Sequence, residues 1–121
     1  MAKLLIIDDD PELRQTMKQI LEHDDHFIVE AQDGRQGVEQ FENFSPDLII
    51  VDIEMPNVDG LQAITQIKNS CPGQKIIAIS GIPRHSQDCL MVARQIGAEE
   101  VLEKPFSATI LAEAVRRVLG R

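Results

Sequence analysis

Aspartates directly follow two apolar runs of strand length, and their chemistry is the first guide to what the chain does. Asp8 and Asp9 follow Leu4–Ile7, and Asp52 follows Leu48–Val51. Carboxylates packed close together repel one another and raise each other's pKa values unless a cation relieves them. Oxygen-only ligands of this kind suit Mg²⁺, which binds through one or two carboxylates together with phosphate oxygens and water. If the fold brings the two segments together, these residues predict a magnesium site.

Asp52 is also a candidate for covalent chemistry, because a carboxylate can accept a phosphoryl group. An aspartyl phosphate requires positive charge around its equatorial oxygens. Lys104, which precedes Pro105, could supply that charge beside the metal, and Ser80, which precedes Gly81, offers a hydroxyl donor. Taken singly, Lys104 is better explained as a surface lysine and Ser80 as a cap or turn serine. The prediction therefore depends on these side chains coming together in the fold.

The elements that must position these residues alternate along the whole chain. Amphipathic helical stretches separate apolar runs, which is typical of an α/β fold with a parallel sheet covered by helices on both faces. Strands are predicted at Lys3–Asp8, Phe27–Ala31, Leu48–Asp52, Lys75–Ser80 and Glu100–Glu103. In such sheets, functional residues gather in the loops at the carboxyl ends of the strands. The strand-end side chains are therefore expected to form one site.

Capping residues mark the predicted helix boundaries. Asp10 is expected to N-cap a helix that begins at Pro11, and Ser107 is expected to cap the last helix. A fourth helix is predicted to begin near His85 and to end at Gly97. Apolar stripes at helical spacing are expected to face the sheet: Leu13, Met17, Ile20 and Leu21; Leu61, Ile64 and Ile67; and Leu111, Ala114, Val115 and Val118.

Composition and charge limit the classes of function. The chain has 121 residues, of which 43% are hydrophobic and 26% charged, and is predicted to form a single domain over residues 1–121. Without a long apolar segment or a signal peptide, a cytoplasmic location with no membrane association is expected. The formal net charge of −8 disfavours direct nucleic-acid binding. Cys71 and Cys89 lack the spacing of a zinc site, and the histidines, His26 among them, are expected at the surface.

Four segments in this order resemble the response-regulator receiver domain. They are Leu4–Asp10 (LLIIDDD), Asp47–Gly60 (DLIIVDIEMPNVDG), Ile76–Gly81 (IIAISG) and Glu103–Phe106 (EKPF). The resemblance implies a flavodoxin-like, doubly wound fold with a five-stranded parallel sheet in the order 2-1-3-4-5. It also implies a signalling switch that accepts a phosphoryl group from a histidine kinase or histidine phosphotransfer protein. Its changed surface would then act on a downstream protein or output domain.

The same resemblance implies a role for each candidate residue. Asp52 resembles the phospho-acceptor, Lys104 the phosphoryl-binding lysine and Ser80 the switch hydroxyl. The implied ligands of Mg²⁺ are Asp9 and Asp52 directly, Asp8 through water, and the backbone carbonyl of Glu54.

One position departs from the pattern of the family. Relatives often carry Tyr or Phe three residues before the lysine, whereas this chain has Val101 and contains no Tyr or Trp. Valine is short and stiff at χ1. We therefore expect the loop that begins at Gly81 and the fourth helix, rather than the fifth strand, to carry most of the change on phosphorylation.

Two other functions fit part of the pattern. An aspartate-nucleophile, magnesium-dependent phosphatase also uses a strand-end aspartate, but its signature has a second aspartate where this chain has Glu54. A phosphorylation-independent interaction module would not need the strand-end residues that this chain retains. The predicted class is therefore a switch whose chemistry is confined to its own aspartate, and not an enzyme that turns over an outside substrate.

Overall fold

The structure, a computed structural model, describes residues 2–55, 60–81 and 91–120. Strands and helices alternate along it. The elements are β1 (Lys3–Ile7), α1 (Pro11–His23), β2 (Phe27–Ala31), α2 (Gly34–Phe44), β3 (Leu48–Asp52), α3 (Gly60–Ser70), β4 (Lys75–Ser80), β5 (Glu100–Glu103) and a C-terminal helix (Ala108–Leu119). Residues 91–95 are also helical. None of the described helices is long and apolar enough to cross a membrane.

The five described strands form one parallel sheet in the order β2-β1-β3-β4-β5. The predicted α/β class and strand order are confirmed. The register places Ile7 opposite Val51, Asp52 opposite Ile79, and Ser80 opposite Glu103. The carboxyl ends of β1, β3, β4 and β5 are therefore nearly level, as a shared site requires.

The predicted strand bounds match the structure except at the end of β1, which stops at Ile7 instead of Asp8. The N–H of Asp8 still donates to the carbonyl of Ala31 at 3.1 Å. The Asp8 side chain, however, accepts the N–H of Asp10 at 2.9 Å. This side-chain contact begins the turn into α1, so the chain leaves the sheet at Asp8.

Two apolar layers cover the sheet, one on each face. One layer packs α2, α3 and the helical segment at residues 91–95 against it, through Val38, Phe41, Ile64, Ile67 and Ala93 among others. The other layer packs α1 and the C-terminal helix, through Met17, Leu21, Leu111, Ala114 and Val115 among others. Each fully buried aliphatic side chain contributes about 1.5–3 kcal/mol. The central strands, buried on both faces, thus form a firm base for the loops at their ends.

The predicted helix caps are confirmed where the structure describes them. Asp10 accepts the N–H of Glu12, and Ser107 accepts the N–H of Ile110, each at the start of a helix. Gly97 follows the helical segment with φ +123°, a conformation that glycine adopts without steric cost. The predicted helix start at His85, with Ile82–Leu90 as a whole, lies outside the described residues.

His26 corrects one expectation from the sequence. It is buried, with 7% of its surface exposed, and not a surface residue. Its Nδ1 accepts the N–H of Ala2 at 3.3 Å, which ties the start of β2 to the residue before β1.

Candidate functional site

Asp52 is the last residue of β3, and its backbone is held on two sides. The following residue, Ile53, donates its N–H to the carbonyl of Ile79 at 2.9 Å and so extends the contact with β4. Gly60, the first residue of α3, packs so closely that a Cβ there would lie 2.2 Å from the Asp52 carbonyl oxygen. The Asp52 side chain is 4% exposed, and its Oδ1 accepts the N–H of Glu54 at 2.9 Å. The carboxylate is therefore fixed in orientation at the end of the central strand.

Three carboxylates meet at this edge of the sheet. Asp8, Asp9 and Asp52 each offer an oxygen, and these oxygens lie within 4.8 Å of one another. Asp8 and Asp52 are buried, whereas Asp9 is exposed. Like charges at this distance repel one another strongly when they are withdrawn from water.

The buried carboxylate of Asp8 is costly to ionise in this cluster. Its Oδ2 is buried and has no hydrogen-bond partner among the residues that the structure describes. Burial is the largest cause that raises the pKa of Asp8, to about 6, and repulsion by Asp52 adds to it. The N–H of Asp10 and the ammonium of Lys104 lower that pKa only in part. A buried acceptor without a donor, beside two further carboxylates, fits a hard divalent cation.

Lys104 brings positive charge to the same place. Its Nζ lies 3.2 Å from Oδ2 of Asp52 and 3.9 Å from Oδ2 of Asp8. Its N–H donates to the carbonyl of Ser80 at 2.8 Å, which fixes the lysine backbone beside the end of β4. A Cβ on Gly81 would lie 2.9 Å from Cδ of Lys104. Gly81 therefore leaves the space through which the lysine side chain reaches the carboxylates.

Ser80 is fully buried at the end of β4, next to the cluster. Its hydroxyl donates to Oε1 of Glu54. The resemblance predicted a metal-ligand role for the Glu54 backbone carbonyl, and the contact of its side chain with Ser80 was not predicted. The two residues are 26 positions apart, and no local sequence pattern reports such a contact.

Arg14 of α1 is a second residue that the sequence analysis missed. Its Nη1 donates to the carbonyl of Asp8 at 2.6 Å, and its Nε contacts Oε1 of Glu30 at 3.1 Å. The guanidinium thus joins the end of β1 to β2. The Arg14 guanidinium supports the loop that carries Asp8 and Asp9, because it donates to the Asp8 carbonyl just beyond the sheet.

The structure therefore brings the predicted residues to one edge of the sheet. Asp8, Asp9, Asp52 and Lys104 form a contiguous charged cluster. Ser80 adjoins it through Glu54, whose N–H contacts Asp52. Such an arrangement can hold a cation, present an oriented carboxylate nucleophile and neutralise an incoming phosphoryl group.

Comparison with known proteins agrees with this chemistry. Residues 4–116 match the family described as the response regulator receiver domain. The chain belongs to this receiver family. As a receiver, it is 36% identical over 118 residues to the chemotaxis protein CheY of Listeria monocytogenes, with 97% of this chain and 98% of that protein covered. It is also 36% identical over 119 residues to the chemotaxis protein CheY of Bacillus subtilis, with 98% of each covered.

Solved structures show the same receiver fold. A response regulator receiver domain protein from Clostridium thermocellum superimposes with a TM-score of 0.92 at 31% identity, over 100% of this chain and 96% of that one. NtrX from Brucella abortus superimposes with a TM-score of 0.93 at 28% identity, over 98% of this chain but only 27% of that one. Receivers thus occur both as nearly whole proteins and as parts of longer ones. Across the family they are signalling switches of two-component systems, in which phosphorylation and magnesium binding are general.

Proposed function

We propose that this receiver is a phosphorylation-dependent switch in which Asp52 accepts the phosphoryl group from a histidine kinase or a histidine phosphotransfer protein. The observation that carries the proposal is the 3.2 Å contact between Nζ of Lys104 and Oδ2 of Asp52, beside the buried carboxylate of Asp8. A surface lysine or a structural aspartate would not require this convergence of three strand ends.

The transfer is a displacement at phosphorus. A carboxylate oxygen of Asp52 forms a bond to the phosphorus of a phosphohistidine, and the phosphorus–nitrogen bond breaks. The imidazole nitrogen departs with the electron pair. The N–H of Glu54, 2.9 Å from Oδ1, holds the carboxylate in orientation. The Lys104 ammonium balances negative charge on the phosphoryl oxygens.

Magnesium is the proposed cofactor. Asp9 and Asp52 would bind it directly, Asp8 through water, and the backbone carbonyl of Glu54 would complete the protein ligands. Bound Mg²⁺ would offset the charge of the carboxylates and of the phosphoryl oxygens. The buried Oδ2 of Asp8, which has no donor among the described residues, supports this assignment.

Phosphorylation becomes a signal through Ser80. A phosphoryl group brings a charge of about −1.5 to −2 and three strong acceptor oxygens, which would draw the Ser80 hydroxyl towards Asp52. The resulting change at the end of β4 would alter a surface that binds a downstream protein or output domain. We further propose one domain over residues 1–121, a cytoplasmic location, and no direct binding to nucleic acid or membranes, in keeping with the net charge of −8.

Intact-mass analysis after treatment with phosphoramidate and Mg²⁺ tests the proposal. The parent should gain one phosphoryl group, and Asp52→Asn should gain none. Asp47→Asn is the matched control, since Asp47 lies just before the other end of the same strand. Equal labelling of Asp52→Asn would contradict the proposal, whereas sustained turnover of an outside phosphomonoester by the parent would favour the phosphatase function instead.

A further inference from the structure

The Glu54 side chain accepts the hydrogen of the Ser80 hydroxyl, which is the donor that the proposed switch requires. The Ser80 hydroxyl donates to Oε1 of Glu54. A serine hydroxyl has a single hydrogen to donate. While that hydrogen is directed to Glu54, it is not available to an oxygen on Asp52.

The fold holds both partners in place for this contact. The Glu54 N–H is fixed on Oδ1 of Asp52, and the Ile53 N–H is fixed on the carbonyl of Ile79, the residue before Ser80. The carbonyl of Ser80 accepts the N–H of Lys104 at 2.8 Å. With its backbone held in this way, Ser80 can exchange its hydrogen-bond partner by turning its side chain.

Ser80 and Glu54 differ in burial, and this difference decides what each side chain needs when the hydrogen bond between them breaks. Ser80 is fully buried, so its hydroxyl must find a partner in the protein. Glu54 is only half-buried, so its carboxylate can return to water when the hydroxyl leaves. A hydrogen bond to an ionised acceptor is about twice as strong as a neutral one. The Glu54 contact therefore favours the resting arrangement until a more highly charged acceptor forms on Asp52.

We propose that Glu54 is a positioning residue whose carboxylate holds the Ser80 hydroxyl in the unphosphorylated chain and thereby opposes the switch. The inference rests on the proposed function, because it takes Asp52 as the phosphoryl site. It assigns to the Glu54 side chain a role separate from that of its backbone carbonyl. Loss of the carboxylate should release the hydroxyl and make the phosphorylated arrangement easier to reach.

The test is the dissociation constant of beryllofluoride, which mimics the phosphoryl group, measured by calorimetry in saturating Mg²⁺. Glu54→Ala should bind it about tenfold more tightly than the parent, which is the size of effect expected from releasing one charge-assisted hydrogen bond. Removing a negative charge could also favour an anion without any contact to Ser80. The same substitution is therefore measured in the Ser80→Ala background, where the gain should fall to a small factor.

Glu54→Gln is the matched control, because it removes the charge but keeps an acceptor oxygen. Its affinity should lie between those of the parent and Glu54→Ala. A second measurement needs no ligand: the amide chemical shifts of Ser80 and Gly81 in free Glu54→Ala should move towards those of the beryllofluoride-bound parent. Equal tightening in both serine backgrounds, or unchanged amide shifts, would overturn the inference.

The experiment also separates this inference from the proposed function. If the parent binds beryllofluoride and Glu54→Ala binds it no more tightly, only the role of the Glu54 side chain is wrong. If the parent does not bind it and is not labelled on Asp52, both are wrong.

Discussion

The two ends of the parallel sheet use the same residue types in opposite ways. At the amino ends of the strands, the carboxylates of Asp47 and Glu99 close loops and accept hydrogen bonds from the backbone. Asp47 accepts the N–H of Lys3 at 2.8 Å and returns its own N–H to the Lys3 carbonyl at 2.7 Å. Glu99 accepts the N–H of Ile76 at 2.9 Å and pairs with Lys68 at 3.1 Å. These acidic residues are parts of the scaffold.

At the carboxyl ends, carboxylates outnumber the positive charges that contact them among the described residues. Asp8, Asp9 and Asp52 meet there, and the ammonium of Lys104 contacts Asp8 and Asp52. Oδ2 of Asp8 has no hydrogen-bond donor in the described part of the chain. The raised pKa of Asp8, about 6, reflects the free-energy cost of ionising this buried carboxylate. An arrangement that costs stability at one end, while the other end satisfies its charges, is the expected mark of a functional site.

The largest difference between the ends should appear when a lysine is removed from each. Lys104→Ala should slow labelling of Asp52 by phosphoramidate by about 10²- to 10³-fold, the usual cost of losing one group that stabilises developing charge. Lys68→Ala removes the Glu99 pair at the other end and should leave the labelling rate unchanged. Both rates can be followed by intact mass. Comparable slowing in the two variants would mean that the contrast between the ends is not functional.

The second largest effect should be a difference in pH dependence without metal. Burial raises the pKa of Asp8 from 3.8 to about 6, which corresponds to about 3 kcal/mol of unfolding free energy. Because the folded-state pKa is the higher one, this stability is fully present below about pH 4 and is lost as the pH rises through about 6. Asp8→Asn should therefore be more stable than the parent near about pH 7 in urea unfolding.

Asp24, before β2 at the amino ends, should show the opposite slope. The hydrogen bond from Arg116 lowers the pKa of Asp24. Its contribution is therefore present above about pH 4 and is lost as the pH falls. Asp24→Asn should flatten the acid side of the stability profile and leave the neutral side nearly unchanged. If Asp8→Asn and Asp24→Asn changed the pH dependence of stability in the same direction, the contrast between the two ends of the sheet would be wrong.

Magnesium should offset part of that cost. At a hundredfold excess over its dissociation constant, a ligand of the folded state adds about 2.7 kcal/mol to the unfolding free energy. Circular dichroism is the suitable probe because the chain has no Tyr or Trp. Asp9→Ala should lose the Mg²⁺ effect. Its neighbour Asp10 caps α1, so Asp10→Ala should cost about 1 kcal/mol yet keep the Mg²⁺ effect. A full Mg²⁺ effect in Asp9→Ala would remove Asp9 from the ligands.

Much of the scaffold was predictable because its signals are local or repeat along the chain. Leu48–Val51 and Ile76–Ile79 are apolar at successive positions, which predicted strands buried on both faces. The strand-end rule then predicted that Asp52 and Lys104 would meet, although 52 positions separate them. The strand order came from the resemblance to a family, since periodicity alone does not specify it.

The remaining features depend on contacts that only the folded chain brings together. The Glu54 carboxylate reaches Ser80 across two strand ends, and its rotamer is not encoded by neighbouring residues. His26 is buried where its ring accepts the N–H of Ala2, the residue before another strand. The close approach of Lys104 to Gly81 depends on the β4–β5 register. In each case, the sequence identified the residue type but not its partner.

The smallest expected effect is within the sheet itself, at Val101. This residue lies opposite Ala78, whereas Ser80 lies two positions further along β4. Val101 packs against the apolar layer, and its side chain is short and stiff at χ1, so it has little capacity to follow a movement of Ser80. On binding of beryllofluoride, its amide chemical shift should change less than those of Ser80 and Gly81.

Two substitutions that each alter only small side chains sharpen this last prediction. Val101→Ala should leave the dissociation constant of beryllofluoride within about twofold of the parent, because Val101 packs in the apolar layer, opposite Ala78 and two register positions before Ser80. Gly81→Ala should weaken the binding of beryllofluoride more than Val101→Ala does. Its added methyl would lie 2.9 Å from Cδ of Lys104 and displace the lysine from Asp52. If Val101→Ala weakened binding as much as Gly81→Ala, or if Val101 shifted as much as Ser80, the fifth strand would transmit the signal despite lacking an aromatic residue.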